Sequence, residues 1–213
     1  MAETGLDLKD ILISRGDRVL VRLSHLVAPG EILTVMGPSG SGKSTLLSFI
    51  IGTLDAGFQA RGEIRLNGID IAQLPPEERR IGLLFQDELL FPHLSVGQNL
   101  AFGLHPSVKG RAARRARIEA ALKDVGLARF ADRDPETLSG GQKARVALMR
   151  MLLSEPKALL LDEPFSRLDT ERRDQVRKLV FEQARAKGLP VLLVTHDHAD
   201  AEAAGGAVHR LEE

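Results

Sequence analysis

Cysteine, tryptophan and tyrosine are absent from this chain of 213 residues, and its net charge is zero. A chain without cysteine cannot form a disulfide framework, which excludes the small disulfide-stapled secreted domains and fits a reducing compartment. Because 29 Lys and Arg residues balance 29 Asp and Glu residues, no long-range field attracts nucleic acid or anionic lipid. We therefore expect no nucleic-acid partner, and any contact with a membrane should go through another protein.

Long hydrophobic runs are missing as well. Apolar runs such as Ala158 to Leu161 are far shorter than the roughly 20 residues of a transmembrane helix. The first ten residues carry Glu3, Asp7 and Asp10 and lack a basic region followed by an apolar run, so no signal peptide is predicted. With 43% apolar and 27% charged residues, the composition is that of a globular protein, and the cytoplasm is the expected location.

The apolar residues that are present alternate between strand-like and helix-like patterns. Leu6–Leu12 and Val19–Leu26 alternate apolar and polar residues, which predicts two strands of a small antiparallel sheet. Later, short apolar runs alternate with segments of helical spacing, an order typical of a parallel α/β sheet. The predicted strands are 32–36, 63–66, 81–85, 158–161 and 191–194, and the predicted helices are 43–51, 109–125, 171–187 and one that follows the glycine pair 140–141 and ends near 153.

A change of character after Asp87 interrupts this alternation. Pro92 and Pro106 break the segment, and its second half is rich in Ala, Arg and Leu, as a helix would be. We therefore expect one domain over residues 1–213, in which a helical lobe over 87–155 is inserted into a core formed by 1–86 and 156–213.

A glycine-rich segment fits the phosphate-binding pattern G-x-x-x-x-G-K-[ST] and lies between a predicted strand and a predicted helix. Glycines allow backbone N–H groups to approach phosphate oxygens, and the helix that follows directs its positive end at them. Lys43 supplies a mobile positive charge for the outer phosphates, and Ser44 offers Mg²⁺ a hard oxygen ligand. The alternative, a glycine-rich turn without a ligand, would not need this strand and helix context. The predicted phosphate-binding residues are Gly37, Pro38, Ser39, Gly40, Ser41, Gly42, Lys43, Ser44 and Thr45.

Two acids, Asp162 and Glu163, end the apolar run Leu159-Leu160-Leu161. The carboxyl ends of buried parallel strands are where α/β sheets bind ligands. Neighbouring strand residues point to opposite faces, so different tasks are expected for the two acids. Asp162 would hold Mg²⁺ and Glu163 would accept a proton from the water that attacks the γ-phosphate. The alternative is that the pair only ends a strand before Pro164.

A second glycine motif, Leu138-Ser139-Gly140-Gly141-Gln142, precedes another predicted helix. It too would present backbone donors and a positive helix end to an anion. The phosphate loop, Gln86, this pentapeptide, Leu161-Asp162-Glu163-Pro164, Asp169 and His196 occur in an order that resembles the ATP-binding subunits of ABC transporters. The resemblance covers nearly the whole chain.

That resemblance implies a P-loop ABC fold, with an N-terminal antiparallel β subdomain and an inserted helical subdomain. It implies a head-to-tail dimer in which ATP lies between the phosphate loop of one copy and Ser139, Gly140, Gly141 and Gln142 of the other. It further implies that Gln86 senses metal and water, that Asp169 communicates across the dimer, and that His196 contacts the γ-phosphate.

The segment Phe85–Val96 resembles the permease-contacting segment of importer ATPases for sugars, polyamines, oxyanions, iron and thiamine. A peripheral position on the inner face of the membrane is then implied, with permease subunits contacting 87–96 and a separate solute-binding protein outside. Exposed apolar contacts are expected at Leu89, Leu90, Phe91 and Leu94, although plain core packing remains an alternative for each.

One departure from the family concerns the adenine base, because the aromatic ring that usually precedes the phosphate loop is missing. Ser14 or Arg15 occupies its place, and a guanidinium there could replace the ring. Other functions also stay open at this point: an export or lipoprotein-extraction motor, a non-transport ABC ATPase, and a P-loop kinase. The kinase would leave Ser139–Gln142 unexplained.

Overall fold

The computed structural model describes residues 4–211. Glu3, one of the acids in the segment for which no signal peptide is predicted, lies outside these residues. The chain forms two compact units. The first comprises Met1–Leu83, Lys157–Glu163 and Phe181–Glu213, and the second comprises Leu84–Pro156 and Pro164–Val180. Within residues 4–211, every helix is too short or too polar to cross a membrane.

An antiparallel sheet of four strands opens the first unit, in the order β2-β1-β4-β5. Two central residues with positive φ, Asn67 (52°) and Gly68 (80°), join its last two strands, as a tight hairpin turn requires. The strands are β1 (Leu6–Arg15), β2 (Arg18–Val27), β4 (Gln59–Leu66) and β5 (Ile69–Asp70).

A sheet of five strands in the order β6-β7-β8-β3-β9 provides the other layer of the first unit. Strands β3 and β8 are buried along their whole length, which explains their continuous apolar runs. The strands are β3 (Ile32–Met36), β6 (Ile81–Leu84), β7 (Ala158–Asp162), β8 (Val191–Thr195) and β9 (Val208–Arg210), and the helices are α1 (Lys43–Ile51) and α6 (His198–Ala204).

The register of the parallel strands determines where the functional residues meet. Met36 lies opposite Thr195, and Asp162 lies opposite Val194. The carboxyl ends of β3, β7 and β8 therefore share one edge of the sheet, and the segments that follow them leave from that edge.

The second unit is helical. Its helices are α2 (Val96–Gly103), α3 (Arg111–Asp124), α4 (Gly140–Leu152) and the first part of α5 (Thr170–Ala186). Helices α2 and α4 approach closely at Gly103, where a Cβ would overlap the carbonyl oxygen of Arg150. Glycine is therefore required at 103 by the packing of this helix pair.

The predicted α/β class is confirmed, with a parallel core, an antiparallel β subdomain and a helical subdomain. Helix α2 was not predicted, because Gly97 and Gly103 weaken its helical pattern. Its start signal was nevertheless present, since Ser95 and Gln98 form a capping box. The short elements α6 and β9 also escaped prediction, as elements of seven and three residues carry little periodicity.

Candidate functional site

The loop between β3 and α1 has a shape that only glycine permits. Gly42 has φ 98°, in the left-handed region, and a Cβ there would lie 3.0 Å from Leu20 Cβ and Val21 Cγ2. At Gly37 a Cβ would lie 2.6 Å from the hydroxyl oxygen of Ser41. The left-handed φ and these contacts therefore require glycine at 42 before any ligand is considered, whereas at 37 a methyl group would displace the Ser41 side chain.

Helix α1 begins directly after this loop, and Gly42 at its N-cap has no side chain with which to cap it. The first N–H groups of a helix lack intrahelical partners, so this end of α1 can accept an anion. Lys43 is 6% exposed, and its ammonium donates to the carbonyls of Gly37 at 2.7 Å and Pro38 at 2.8 Å. The loop thus holds the predicted phosphate-binding cation within the site.

The other end of α1 is fixed by Arg79, a residue that the sequence did not single out. Its guanidinium donates to the last carbonyls of α1, at Phe49 and Ile50, and to those of Leu74 and Ala72. Burial lowers the pKa of Arg79, while the charge of Asp70 opposes that shift. No signal in the sequence distinguishes Arg79 from Arg80, since both follow two glutamates in a turn-like segment.

Asp162 is the last residue of β7, and Ser44 stands beside it at the start of α1. The Ser44 hydroxyl donates to Asp162 Oδ1 at 3.3 Å. Burial raises the pKa of the Asp162 carboxyl; the hydrogen bond from Ser44 and the charge of Lys43 act against this shift, and the charge of Glu163 adds to it. Two oxygen ligands predicted for a metal are therefore adjacent in the folded chain.

Glu163 leaves the strand in a left-handed conformation, with φ 45°. Its N–H donates to the carbonyl of Val194 at 2.9 Å. The strand alternation expected for the acid pair does not apply, because β7 ends at Asp162. A sharp turn of the backbone, rather than the pleat, separates the two carboxylates.

His196 follows β8 and meets Glu163 at the shared sheet edge. Its Nδ1 lies 3.0 Å from Glu163 Oε1, and the His196 side chain is 61% exposed whereas that of Glu163 is 20% exposed. This distance is that of a hydrogen bond between the ring nitrogen and the carboxylate. The His196 ring therefore orients the Glu163 carboxylate, and the ring itself is open to solvent.

Ser139 caps helix α4 in the second unit. Its hydroxyl oxygen accepts from the N–H of Gln142, and the Gln142 side chain accepts from the N–H of Ser139. The Ser139 hydroxyl hydrogen remains available as a donor. A Cβ on Gly140 would lie 3.6 Å from Leu168, and one on Gly141 would lie 3.5 Å from Arg172, both ordinary contact distances. Unlike the phosphate loop, this motif does not need its glycines for its own packing.

The remaining predicted residues also belong to the second unit. Gln86 is exposed, and Asp169 accepts from the backbone N–H and the guanidinium of Arg172 at the start of α5. Asp87, the neighbour of Gln86, forms an ion pair with Arg167. The structure thus gathers the predicted residues into two groups, one in each unit.

Ser14 and Arg15, the two candidates for the place of the missing aromatic ring near the adenine base, are the last two residues of β1, and Arg15 contacts an aromatic ring. The Arg15 Cζ is 5.6 Å from the centre of the Phe58 ring, within the range of a cation–π contact. The guanidinium is therefore supported by a ring that comes later in the sequence.

Comparison with known proteins agrees with this geometry. The family model described as ABC transporter matches residues 20–166. An uncharacterized ABC transporter ATP-binding protein of Escherichia coli, YnjD, is 53% identical over 87% of this chain and 85% of its own length. The thiamine import ATP-binding protein ThiQ of Vibrio parahaemolyticus is 43% identical over 87% of this chain and 78% of its own length. The spermidine/putrescine import protein PotA of Nitrosomonas europaea is 42% identical over 92% of this chain, which spans 54% of PotA.

Among solved structures, the ATP-binding cassette MJ0796 is similar over 97% of this chain and 94% of its own chain, with a TM-score of 0.78 and 31% identity. That structure is a dimer in a post-hydrolysis state with ADP and Pi. By sequence and by fold, therefore, this chain belongs to the ABC transporter family, as an ATP-binding subunit that hydrolyses ATP.

Proposed function

We propose that the chain powers solute import across the cell membrane, as a homodimer bound to permease subunits on the cytoplasmic face. The observation that carries the ATPase site is the pairing of Glu163 with His196 at the sheet edge where Ser44 meets Asp162. A base, a second polar group and two metal ligands are there next to a phosphate loop.

The residues present fit Mg²⁺. Ser44 and Asp162 offer adjacent oxygen atoms, of the kind that Mg²⁺ prefers. Burial disfavours the charged form of Asp162, so a nearby cation would stabilise it. Gln86 is proposed as a further ligand, as in the family. When bound, Mg²⁺ supplies charge neutralisation at the outer phosphates.

The proposed chemistry of this chain's own residues is in-line attack of water on the γ-phosphate. Glu163 orients that water and takes its proton, and His196 holds the Glu163 carboxylate in place while contacting the γ-phosphate. Lys43, held over the loop by two carbonyls, balances the charge that develops on the outer phosphates.

The glycines of Ser139–Gln142 support a site shared between two copies. Within one chain, methyl groups at Gly140 and Gly141 would meet only ordinary contacts, and glycine costs a helix about 0.5–1 kcal/mol relative to alanine. Packing within the chain gives these glycines no role, and an ATP molecule bound to a partner copy would need the close approach that they allow. Asp169 is proposed to face the partner as well. The dimer of the similar cassette supports the same assembly.

Import is the proposed direction because ThiQ and PotA are named import proteins. The proposed permease contact lies in 87–96. Of the four apolar residues expected there, Leu89 is 56% exposed, whereas Leu90, Phe91 and Leu94 are partly buried. Phe102, which was not predicted, is 73% exposed and its ring centre lies 4.8 Å from that of Phe91. A separate solute-binding protein would deliver the cargo.

Glu163→Gln tests the proposed base. ATP binding should persist, whereas the rate of phosphate release should fall at least about hundredfold, and the variant should accumulate as an ATP-bound dimer on size-exclusion chromatography. Glu78→Gln, at an exposed position in a short helical turn, serves as the control and should hydrolyse ATP like the wild type. Full turnover by Glu163→Gln would overturn the assignment.

A further inference from the structure

Arg150 is a charged residue within the otherwise apolar stretch Val146–Leu152 of helix α4. Its guanidinium donates to the carbonyl of Leu89 at 2.9 Å and to that of Glu88 at 3.2 Å. It also lies 5.4 Å from the centre of the Phe91 ring. One side chain thus holds three residues of the segment 88–91, which are 59 or more positions away in sequence.

The environment of Arg150 shows that this contact is built into the fold. Burial lowers the pKa of its guanidinium, so charge at this position costs free energy unless donors find acceptors. Leu89 supplies one acceptor from a left-handed backbone, with φ 45°, a conformation that is unfavourable for leucine. The backbone carbonyl of Arg150 packs closely against Gly103 of helix α2.

The same helix also begins at the second glycine motif. Ser139 caps α4, and Arg150 lies ten residues after Gly140, which corresponds to about 15 Å along a helix. A helix is stiff over this distance, so a displacement of its N-terminus is carried to Arg150. The backbone of Phe91 is fixed by another residue, because the Asn99 side chain accepts from its N–H and donates to its carbonyl.

We propose that Arg150 is a positioning residue that couples the Ser139–Gln142 motif to the segment 88–91, so that closure of the dimer around ATP repositions the permease contact. This inference rests on the proposed dimer and permease contact. Arg150 does not itself touch ATP. The guanidinium fork carries the coupling, because it binds two successive carbonyls at once.

Hydrogen exchange in the Glu163→Gln chain, with and without ATP, tests the coupling without any permease. ATP should slow exchange at 139–143, where the partner's nucleotide binds, and should change exchange at 88–90. Adding Arg150→Met should preserve the first response and abolish the second. In the absence of ATP, the amides at 88–90 should exchange at least about tenfold faster, because Arg150→Met removes both hydrogen bonds to the carbonyls of Glu88 and Leu89 and the segment then opens more readily.

Arg145→Met is the matched control on the same helix. Arg145 donates to the carbonyl of Val125 and to the Gln175 side chain, so this variant should preserve both responses to ATP. Arg150→Lys keeps the charge but loses the fork, and it should restore part of the response at 88–90. That partial rescue would separate positioning from general loss of packing.

Two outcomes would overturn the inference alone: an ATP response at 88–90 that survives Arg150→Met, or its absence from the parent Glu163→Gln chain while 139–143 is protected. A parent chain in which ATP leaves 139–143 unprotected would overturn the proposed dimer, and the coupling role with it. Failure of the inference and failure of the proposed function are therefore distinguishable.

Discussion

Each of the two glycine motifs lies at the start of a helix, but only one of these helices has a side-chain cap. Helix α1 follows Gly42, which is left-handed and offers no side chain as a cap. Helix α4 follows Ser139, which forms a complete capping box with Gln142. The chain itself needs glycine at 42, and a methyl group at 37 would displace the Ser41 side chain, whereas at 140 and 141 the chain would accommodate a methyl group. The first motif is a helix start left open to an anion, and the second is a capped helix start whose glycines are proposed to face a nucleotide bound to a partner copy.

This difference between the two helix starts bears on the stability of each half of the proposed shared site. An open helix start costs stability, because its N–H groups lack protein partners. Of the two motifs, the phosphate loop bears this cost in the free chain, and Lys43 partly offsets it by binding the loop carbonyls. A comparable capping box at Ser95 and Gln98 starts α2, a helix for which no phosphate contact is proposed. Capping alone is therefore not the sign of a phosphate site.

The largest effect expected from the comparison of the two motifs is that of Gly140→Ala on turnover. A methyl group there would keep a partner-bound phosphate away from the backbone donors, and the ATPase rate should fall about hundredfold, the typical cost of a lost donor to a developing charge. The thermal midpoint of the nucleotide-free chain should stay the same or rise, since alanine favours a helix. Unchanged activity with unchanged stability would break the comparison and argue against a shared site.

Gly42→Ala should act in the opposite way, through the fold of the phosphate loop. Its left-handed φ and the close approach of Leu20 and Val21 should lower the free energy of unfolding by about 2 kcal/mol, from backbone strain and crowding. Urea denaturation of the nucleotide-free chain measures this loss. A variant as stable as the wild type would show that the loop tolerates a side chain.

Ser139→Ala and Ser95→Ala form a matched pair. Each removes a capping hydroxyl, and each should lower the free energy of unfolding by about 1 kcal/mol. Only Ser139→Ala should also lower the ATPase rate, because its hydroxyl hydrogen is proposed to reach the partner's nucleotide. Equal activity of the two variants would reduce Ser139 to a helix cap.

The smallest expected effect concerns pH and Asp162. Burial raises the pKa of this carboxyl, so its contribution to stability is complete below the pKa of the unfolded chain and is lost as pH rises through the folded value. With EDTA and no nucleotide, the free energy of unfolding of Asp162→Asn relative to wild type should therefore increase from acid to neutral pH.

Asp132→Asn provides a control of opposite sign for that titration. The hydrogen bond from Arg115 lowers the pKa of Asp132, so its stabilisation is present above the unfolded pKa and is lost as pH falls through the folded value. The stability of Asp132→Asn relative to wild type should decrease toward neutral pH. Parallel trends for the two variants would contradict the assigned shifts.

The prediction succeeded where the signal is local. The phosphate loop lies between β3 and α1 at the predicted bounds of both elements, since seven contiguous residues determine the turn, the helix start and the lysine. The hairpin turn at Asn67 and Gly68 is the same kind of local signal, because few residues adopt positive φ without strain. Helix α4 begins at Gly140, within the glycine pair that was expected to precede it, because Ser139 and Gln142 form a capping box.

The sequence by itself therefore determined which residues can bind phosphate, metal or a proton, and which strands and helices carry them. Tertiary structure alone decided which of them meet: Ser44 contacts Asp162 from 118 positions away, and His196 reaches Glu163 because parallel strands end at one edge. Tertiary structure also decided which main-chain carbonyls Arg79 and Arg150 bind. A long guanidinium can bind main-chain carbonyls anywhere within its reach, and the acceptors it finds depend on packing that no local pattern encodes.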